Sequence, residues 1–357
     1  MGVCDIEATE AIKAVKAGRF SPLYVVYGKD RYRIEQFVEL LKNRMFTAED
    51  QHMGIVKFDT QETSLEEIVV EADSAPFFVE KKLIIVKDSS IFSASVGKDN
   101  AKLEHRPETL LSYIEHPLES TVMVFIVYAE KLDERKKLVK SLKDRKVLVH
   151  FPELDHIQLI QWLRKKAGEQ GREISPDAAE LLIRRIGMSM QQLSQELDKL
   201  CLHVGDKGEI TVALVDQLIA VTIEEDVFAL VDAIVNIKLN EALAIYKELL
   251  VRKEEPIKLI ALIVRQIRMM LQIKELEESQ YSPKQIAGMI GAHPYAVKLA
   301  AEKATSYPKK RLAELLSSLA DLDYSMKSGR VEKALGLELF ILSLGSSYTL
   351  SFHRKMS

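Results

Sequence analysis

Residues 23–28 read Leu-Tyr-Val-Val-Tyr-Gly, a short apolar run of β-branched and aromatic side chains that ends at a glycine. Such a run is typical of a buried β-strand. Four similar runs follow, at residues 55–59, 83–86, 122–127 and 147–151. Because these strands are apolar throughout and alternate with helical patterns, they predict a parallel sheet that is covered on both faces.

The segments between these strands carry helix signals. We predict helices over residues 33–46, 107–116 and 133–143. Ser64 with Glu67 three residues later has the pattern of a capping box, and it predicts a further helix that ends before Pro76. The polar stretch 89–106 is too long for an ordinary connection and predicts a segment that protrudes or is mobile, to which no role is assigned.

After residue 152 the strand signal stops and helical patterning takes over. It covers residues 154–170, 177–186, 191–203, 211–220, 226–237, 240–252, 256–278, 283–290, 294–305, 309–327 and 331–344. We therefore predict three domains: a parallel α/β domain at 1–152, a small helical domain at 153–220 and a helical bundle at 221–357.

Composition excludes several classes of protein. The chain has 357 residues, 50 Lys and Arg against 53 Asp and Glu, and a net charge of -3. No apolar run approaches the ~20 residues of a membrane span, and the first residues do not resemble a secretory signal. Two cysteines, Cys4 and Cys201, are too few for a disulfide framework or a cysteine zinc site, so we expect a reducing cytoplasm. The near-neutral charge argues against a chain that binds DNA tightly by itself.

An α/β domain followed by a small helical domain suggests a P-loop ATPase of the AAA+ type, but the catalytic motifs are missing. A P-loop needs G-x-x-x-x-G-K-[ST] after the first strand. Here that strand leads into Gly28, Lys29 and Asp30, with an acid where phosphates would lie. The third strand ends at Lys87 and Asp88 without a paired Asp-Glu. We expect no ATPase site, cofactor or metal on this chain. An AAA+-type ATPase with a degenerate nucleotide site, acting in DNA replication or repair, remains an alternative.

One local feature points to an interface. Pro76-Phe77-Phe78-Val79 joins the second predicted helix to the third strand. Adjacent side chains point in different directions, so two neighbouring Phe residues seldom reach the same core. Either at least one of them is exposed as a binding residue, or both close the end of the sheet core.

The order and spacing of several stretches resemble the delta subunit of bacterial DNA polymerase III, over almost the whole chain. The stretches are 21–30 (SPLYVVYGKD), 74–83 (SAPFFVEKKL), 185–187 (RIG), 195–200 (QELDKL), 265–268 (RQIR), 286–287 (IA) and 293–298 (HPYAVK). The resemblance implies an AAA+-type α/β domain that lacks a P-loop, a small helical lid domain and a C-terminal helical collar.

The resemblance also implies a function and a set of partners. In that family, the collar assembles with gamma/tau and delta-prime subunits, and the first domain binds and opens the beta sliding clamp for loading on primed DNA. Its hydrophobic contact with the clamp maps by position onto Phe77 and Phe78, flanked by Pro76 and Val79. ATP is bound by the gamma/tau subunits, so the chain is not an enzyme by itself, and primer-template DNA is met within the assembled complex. Phe77 is a departure, because an aliphatic residue can occupy that position.

Overall fold

The structure is a computed structural model, which describes residues 6–87, 90–92, 105–206, 208–292 and 294–345. It divides into two units, one up to Leu154 and the other from Asp155 onward. The predicted split of the second unit at residue 220 stays a prediction.

The first unit is built on a parallel sheet of six strands. The strands are β1 (Ile6–Glu7), β2 (Leu23–Tyr27), β3 (Ile55–Asp59), β4 (Lys82–Lys87), β5 (Thr121–Val127) and β6 (Leu148–His150). Their order across the sheet is β1-β6-β2-β5-β4-β3, with every pair parallel. Five of the six strands were predicted; β1, with only two residues, has no readable pattern.

Helices cover both faces of this sheet, as the apolar strands predict. They are α1 (Ala8–Lys16), α2 (Arg31–Met45), α3 (Gln51–Gly54), α4 (Leu65–Asp73), α5 (Pro107–Glu115) and α6 (Lys137–Asp144), with a 3-10 turn at Ser90–Phe92. One core joins α4, α5 and α6 to one face, around Phe125. The other joins α1 and α2 to the opposite face, around Phe37 and Phe151.

The start of α6 differs from the prediction. We predicted a helix from residue 133, but α6 begins at Lys137. The Asp133 carboxylate accepts the amide N–H of Arg135 at 3.1 Å, and the Asp133 amide donates to the Phe92 carbonyl at 2.8 Å. These bonds hold residues 133–135 in a turn, because an Asp side chain competes with the helix for backbone donors.

The second unit is mainly helical. Its helices are α7 (His156–Glu169), α8 (Pro176–Ile186), α9 (Met190–Val204), α10 (Val212–Leu218), α11 (Ile223–Val235), α12 (Leu239–Val251), α13 (Pro256–Glu278), α14 (Pro283–Ile290), α15 (Pro294–Ala304), α16 (Lys309–Lys327) and α17 (Lys333–Ser343). The prediction that strands end at residue 152 was wrong, since β7 (Glu173–Ile174) and β8 (Glu209–Ile210) form a parallel pair. Two-residue strands are too short to show a period in sequence.

Helices α11 to α17 share one hydrophobic core, which includes Leu230, Ile263 and Leu319. Tyr246 is buried in it and donates its hydroxyl to the Ala334 carbonyl at 2.9 Å. Across the described parts of the chain, no helix is both long and apolar enough to span a membrane.

Candidate functional site

Phe77 and Phe78 both point into solvent. They lie in the connection between α4 and β4, and their exposed fractions are 95 % and 81 %. We refer to residues 75–81 as the Phe loop. Pro76 and Val79 are half-buried, and Val79 packs against the core on the α1–α2 face of the sheet. The interpretation in which both Phe side chains close the sheet core is therefore wrong. Large exposed apolar side chains on a loop are typical of a binding surface.

The helix that leads into the Phe loop is fixed at its start. The Ser64 amide donates to Glu67 Oε2 at 3.0 Å, and the Glu67 amide donates to Ser64 Oγ at 3.3 Å, which is the predicted capping box. α4 buries Leu65 and Ile68 and ends at Asp73, and the amide of the following Ser74 donates to the Glu71 carbonyl at 3.3 Å. Pro76 follows, so the helix cannot continue through the loop.

Lys82 follows the Phe loop and joins its C-terminal end to α4 through hydrogen bonds, a role that the sequence did not indicate. Lys82, the first residue of β4, is only 5 % exposed. Its ammonium group donates to the Ser74 carbonyl and to Ser74 Oγ, both at 2.7 Å, to Glu71 Oε1 at 2.9 Å, and to the Glu71 carbonyl. The Thr121 hydroxyl donates to the Ala72 carbonyl at 3.0 Å beside it. No sequence signal marks Lys82, because a lysine at the start of a strand is usually solvated.

The position of a P-loop has a different construction in this chain. β2 lies inside the sheet between β6 and β5, and open parallel sheets bind ligands at the carboxyl ends of such strands. At this end, Asp30 is buried and caps α2 by accepting the Arg33 amide at 3.0 Å. The Arg33 guanidinium pairs with the Asp30 carboxylate at 2.5 Å and also donates to the Pro152 carbonyl. The Asp30 carboxylate thus occupies the N-terminus of α2, which is the position where a P-loop protein binds phosphate.

The backbone after β6 packs against the same turn, between β2 and α2. A Cβ on Gly28 would lie 2.0 Å from the Phe151 carbonyl oxygen, and Gly28 has φ +145°. Lys29 turns to Glu130, with 3.0 Å between the ammonium and the carboxylate. The hydrogen bond between the two groups raises the pKa of Lys29 and lowers the pKa of Glu130. Asp88 lies outside the described residues. No group of three His, Cys, Asp or Glu side chains suited to a metal ion occurs in the part of the chain that the structure describes.

A second surface lies in the helical unit. Arg265 and Arg268 are exposed on α13 and line a groove of about 560 Å³, together with Asp323 and Lys327 from α16. Lys327 pairs with Asp323 at 2.7 Å, so part of the charge in the groove is compensated.

Comparison with known proteins gives one consistent result. A model of the family "DNA polymerase III, delta subunit" matches residues 24–152, and a model of "DNA polymerase III delta subunit, C-terminal domain" matches residues 224–344. The chain belongs to the DNA polymerase III delta subunit family. DNA polymerase III subunit delta of Bacillus subtilis is 37 % identical over 332 residues, which are 93 % of this chain and 95 % of that protein.

Further relatives agree with this membership. A probable DNA polymerase III subunit delta of Aquifex aeolicus is 23 % identical over 304 residues, covering 83 % of this chain and 82 % of that one. A solved structure of the Bacillus subtilis DNA clamp loader delta protein has a TM-score of 0.77 and 36 % identity, covering 94 % of this chain and 99 % of that chain. The parallel α/β unit, followed along the chain by a mainly helical unit, is therefore the fold of a clamp loader delta subunit, and the chain is a component of the DNA polymerase III clamp loader.

Proposed function

We propose that this delta subunit binds the beta sliding clamp and opens it for loading on primed DNA, with Phe77 and Phe78 as its central contacts. The observation that carries the proposal is the pair of adjacent Phe side chains, both exposed at the tip of one anchored loop. Pro76 and Val79 flank the pair and shape the loop. We expect the activity in the cytoplasm, where bacterial DNA is replicated.

The energy available from this pair is large but limited. Burying a Phe side chain fully contributes about 1.5–3 kcal/mol, so two of them supply about 3–6 kcal/mol. Micromolar binding requires about 8 kcal/mol. The remaining contacts would come from neighbouring surface, and α4 offers Val70, which is 72 % exposed. Aromatic side chains at the centre of an interface often dominate its energy.

Opening a ring requires more than binding it. A partner with equal affinity for the closed and open clamp shifts no population between them. We propose that Phe77 and Phe78 enter a pocket on the clamp while the carboxyl end of α4 presses on the clamp's subunit interface. The open clamp would then be bound more tightly than the closed one.

We propose that this chain neither binds nor hydrolyses ATP, and that ATP acts through the gamma/tau subunits of the loader. The carboxylate of Asp30 at the α2 N-terminus and the backbone packed against Gly28 support this view. Residues 221–357 would form the collar that joins gamma/tau and delta-prime subunits, and primer-template DNA would be met only in the assembled complex.

The test is binding of the purified chain to the cognate beta clamp by calorimetry or surface plasmon resonance. We expect the double variant Phe77→Ala, Phe78→Ala to lose at least about a hundredfold in affinity. Because both side chains are exposed, its melting temperature should stay close to that of the wild type. Leu202→Ala is the matched control, since Leu202 is 81 % exposed but lies on α9 in the other unit. Equal affinity of the double variant and the wild type would rule out the assignment.

A further inference from the structure

The buried lysine at the base of the Phe loop has a geometry that stability alone does not require. A lysine is almost never fully buried unless it is paired, because removing its charge from water is costly. An apolar side chain of similar length would fill the same space without that cost. The ammonium of Lys82 nevertheless points at the last turn of α4, where Glu71 and Ser74 provide all four of its acceptors.

We infer that Lys82 is a positioning residue that holds the Phe loop in the geometry in which Phe77 and Phe78 stand clear of the domain. The inference rests on the proposed function for the identity of the partner. Its structural part, the hold of Lys82 on the loop, stands without the clamp.

The contacts of Lys82 close the loop at its base. Ser74 and Lys82 bracket residues 75–81, and the 2.7 Å bond from the Lys82 ammonium to the Ser74 carbonyl joins the two ends across the loop. The Glu71 carbonyl lies in the last turn of α4, where it also accepts the Ser74 amide and the Ser74 hydroxyl, and the Ser74 carbonyl directly follows the helix. Carbonyl groups at a helix end attract positive charge. The Lys82 cation therefore joins the hydrogen bonds that end α4 and fixes where the chain leaves the helix.

Two weaker contacts assist Lys82 from either side. The Thr121 hydroxyl holds the Ala72 carbonyl from the neighbouring strand β5. The Lys81 ammonium lies 5.0 Å above the ring of Phe20. With Val79 packed on the core, the loop is restrained at its base and on one flank, while its tip carries the two Phe side chains into water.

Restraint of this kind serves binding. Two adjacent Phe side chains on a free loop would tend to fold back onto apolar surface, and ordering them on contact would lower the affinity. A loop that is already fixed avoids that loss. The charge on Lys82 thus affects clamp binding through the loop, although Lys82 itself is buried and would not touch the clamp.

The experiment compares three forms of the full chain: wild type, Lys82→Met and Val149→Ala. Lys82→Met keeps an unbranched side chain and removes the donors. Val149→Ala is the control for general destabilisation, because Val149 is buried in β6 of the same unit and takes part in none of the hydrogen bonds at the base of the Phe loop. The first readout needs no clamp: the rate at which chymotrypsin cuts the native chain after Phe77 or Phe78, identified by mass spectrometry.

We expect Lys82→Met to raise this rate at least about tenfold, since proteolysis of a folded chain follows local opening. In Val149→Ala, chymotrypsin should cut the Phe loop at close to the wild-type rate, even when the melting temperature has fallen as far as in Lys82→Met. If Lys82→Met fails to fold, Ser74→Ala replaces it; removing the Ser74 hydroxyl should raise the rate by about threefold. A loop rate in Lys82→Met no higher than in Val149→Ala overturns the inference.

The second readout is the dissociation constant for the beta clamp. We expect Lys82→Met to bind about tenfold more weakly than wild type, and Val149→Ala to bind like wild type. If Phe77→Ala, Phe78→Ala loses binding but Lys82→Met does not, loop geometry is irrelevant and the positioning role is wrong. If the double alanine variant binds normally, the proposed function fails, while the cleavage rates still decide whether Lys82 holds the loop.

Discussion

The Phe151 backbone packs closely against Gly28 at the position of a P-loop, and this packing can be tested quantitatively. Gly28→Ala would place a Cβ 2.0 Å from the Phe151 carbonyl oxygen, in a backbone conformation with φ +145°. A side chain in that backbone region costs about 1–3 kcal/mol, and forcing a methyl group into a packed site costs about 1–3 kcal/mol more. The two costs overlap, because one backbone shift relieves both. We therefore expect a loss of about 3 kcal/mol in the free energy of unfolding.

This loss should appear as a fall of about 6–12 °C in melting temperature for a unit of this size, measured on the full chain by circular dichroism. Gly18→Ala is the control, since Gly18 also has positive φ (+74°) but has no atom within 4 Å of the added Cβ. It should cost about 1 kcal/mol through the backbone alone. If Gly28→Ala and Gly18→Ala had the same melting temperature, the backbone at Phe151 would not be packed against Gly28 at the position of a P-loop.

Two further predictions concern other parts of the chain. Ile237 follows α11 with φ +57° and is 47 % exposed; Ile237→Asn should stabilise the protein by about 0.5–1 kcal/mol, because asparagine tolerates the left-handed region and a β-branched residue does not. A melting temperature for Ile237→Asn below that of the wild type would show that the backbone at Ile237 is not strained. The purified chain should show no ATP hydrolysis above the buffer rate, with or without magnesium and primed DNA, in a phosphate-release assay. Turnover that rises with protein concentration and is lost in Lys29→Ala would restore the alternative of an AAA+-type ATPase.

Much of the fold could be predicted because its signals are local. The strand at residues 55–59 and the helices over 256–278, 283–290 and 309–327 have the predicted bounds, since their apolar periods and flanking residues are unambiguous. α1 was missed although Ala11 and Val15 have helical spacing. β7 and β8 could not be predicted, because pairing between distant two-residue segments leaves no local pattern.

The candidate site was only partly accessible from sequence. Phe77 and Phe78 could be selected from their adjacency, but whether they were buried or exposed depended on the path of the chain after α4. Lys82 was inaccessible, because its four acceptors become neighbours only when β4 lies beside the end of α4. A buried charge of this kind is defined by tertiary contacts, and a sequence shows only one more lysine in a basic pair.

The most direct test of the central claim compares two forms of the cognate clamp: the closed ring, and a variant whose subunit interface is disrupted so that it is a monomer. The dissociation constant of the wild-type chain is measured for both. If the chain opens the clamp, it binds the monomer at least about tenfold more tightly than the ring, because part of its binding energy is used to separate the ring interface. Equal affinity for the two forms would contradict the account, since such a subunit could hold a clamp but could not open one.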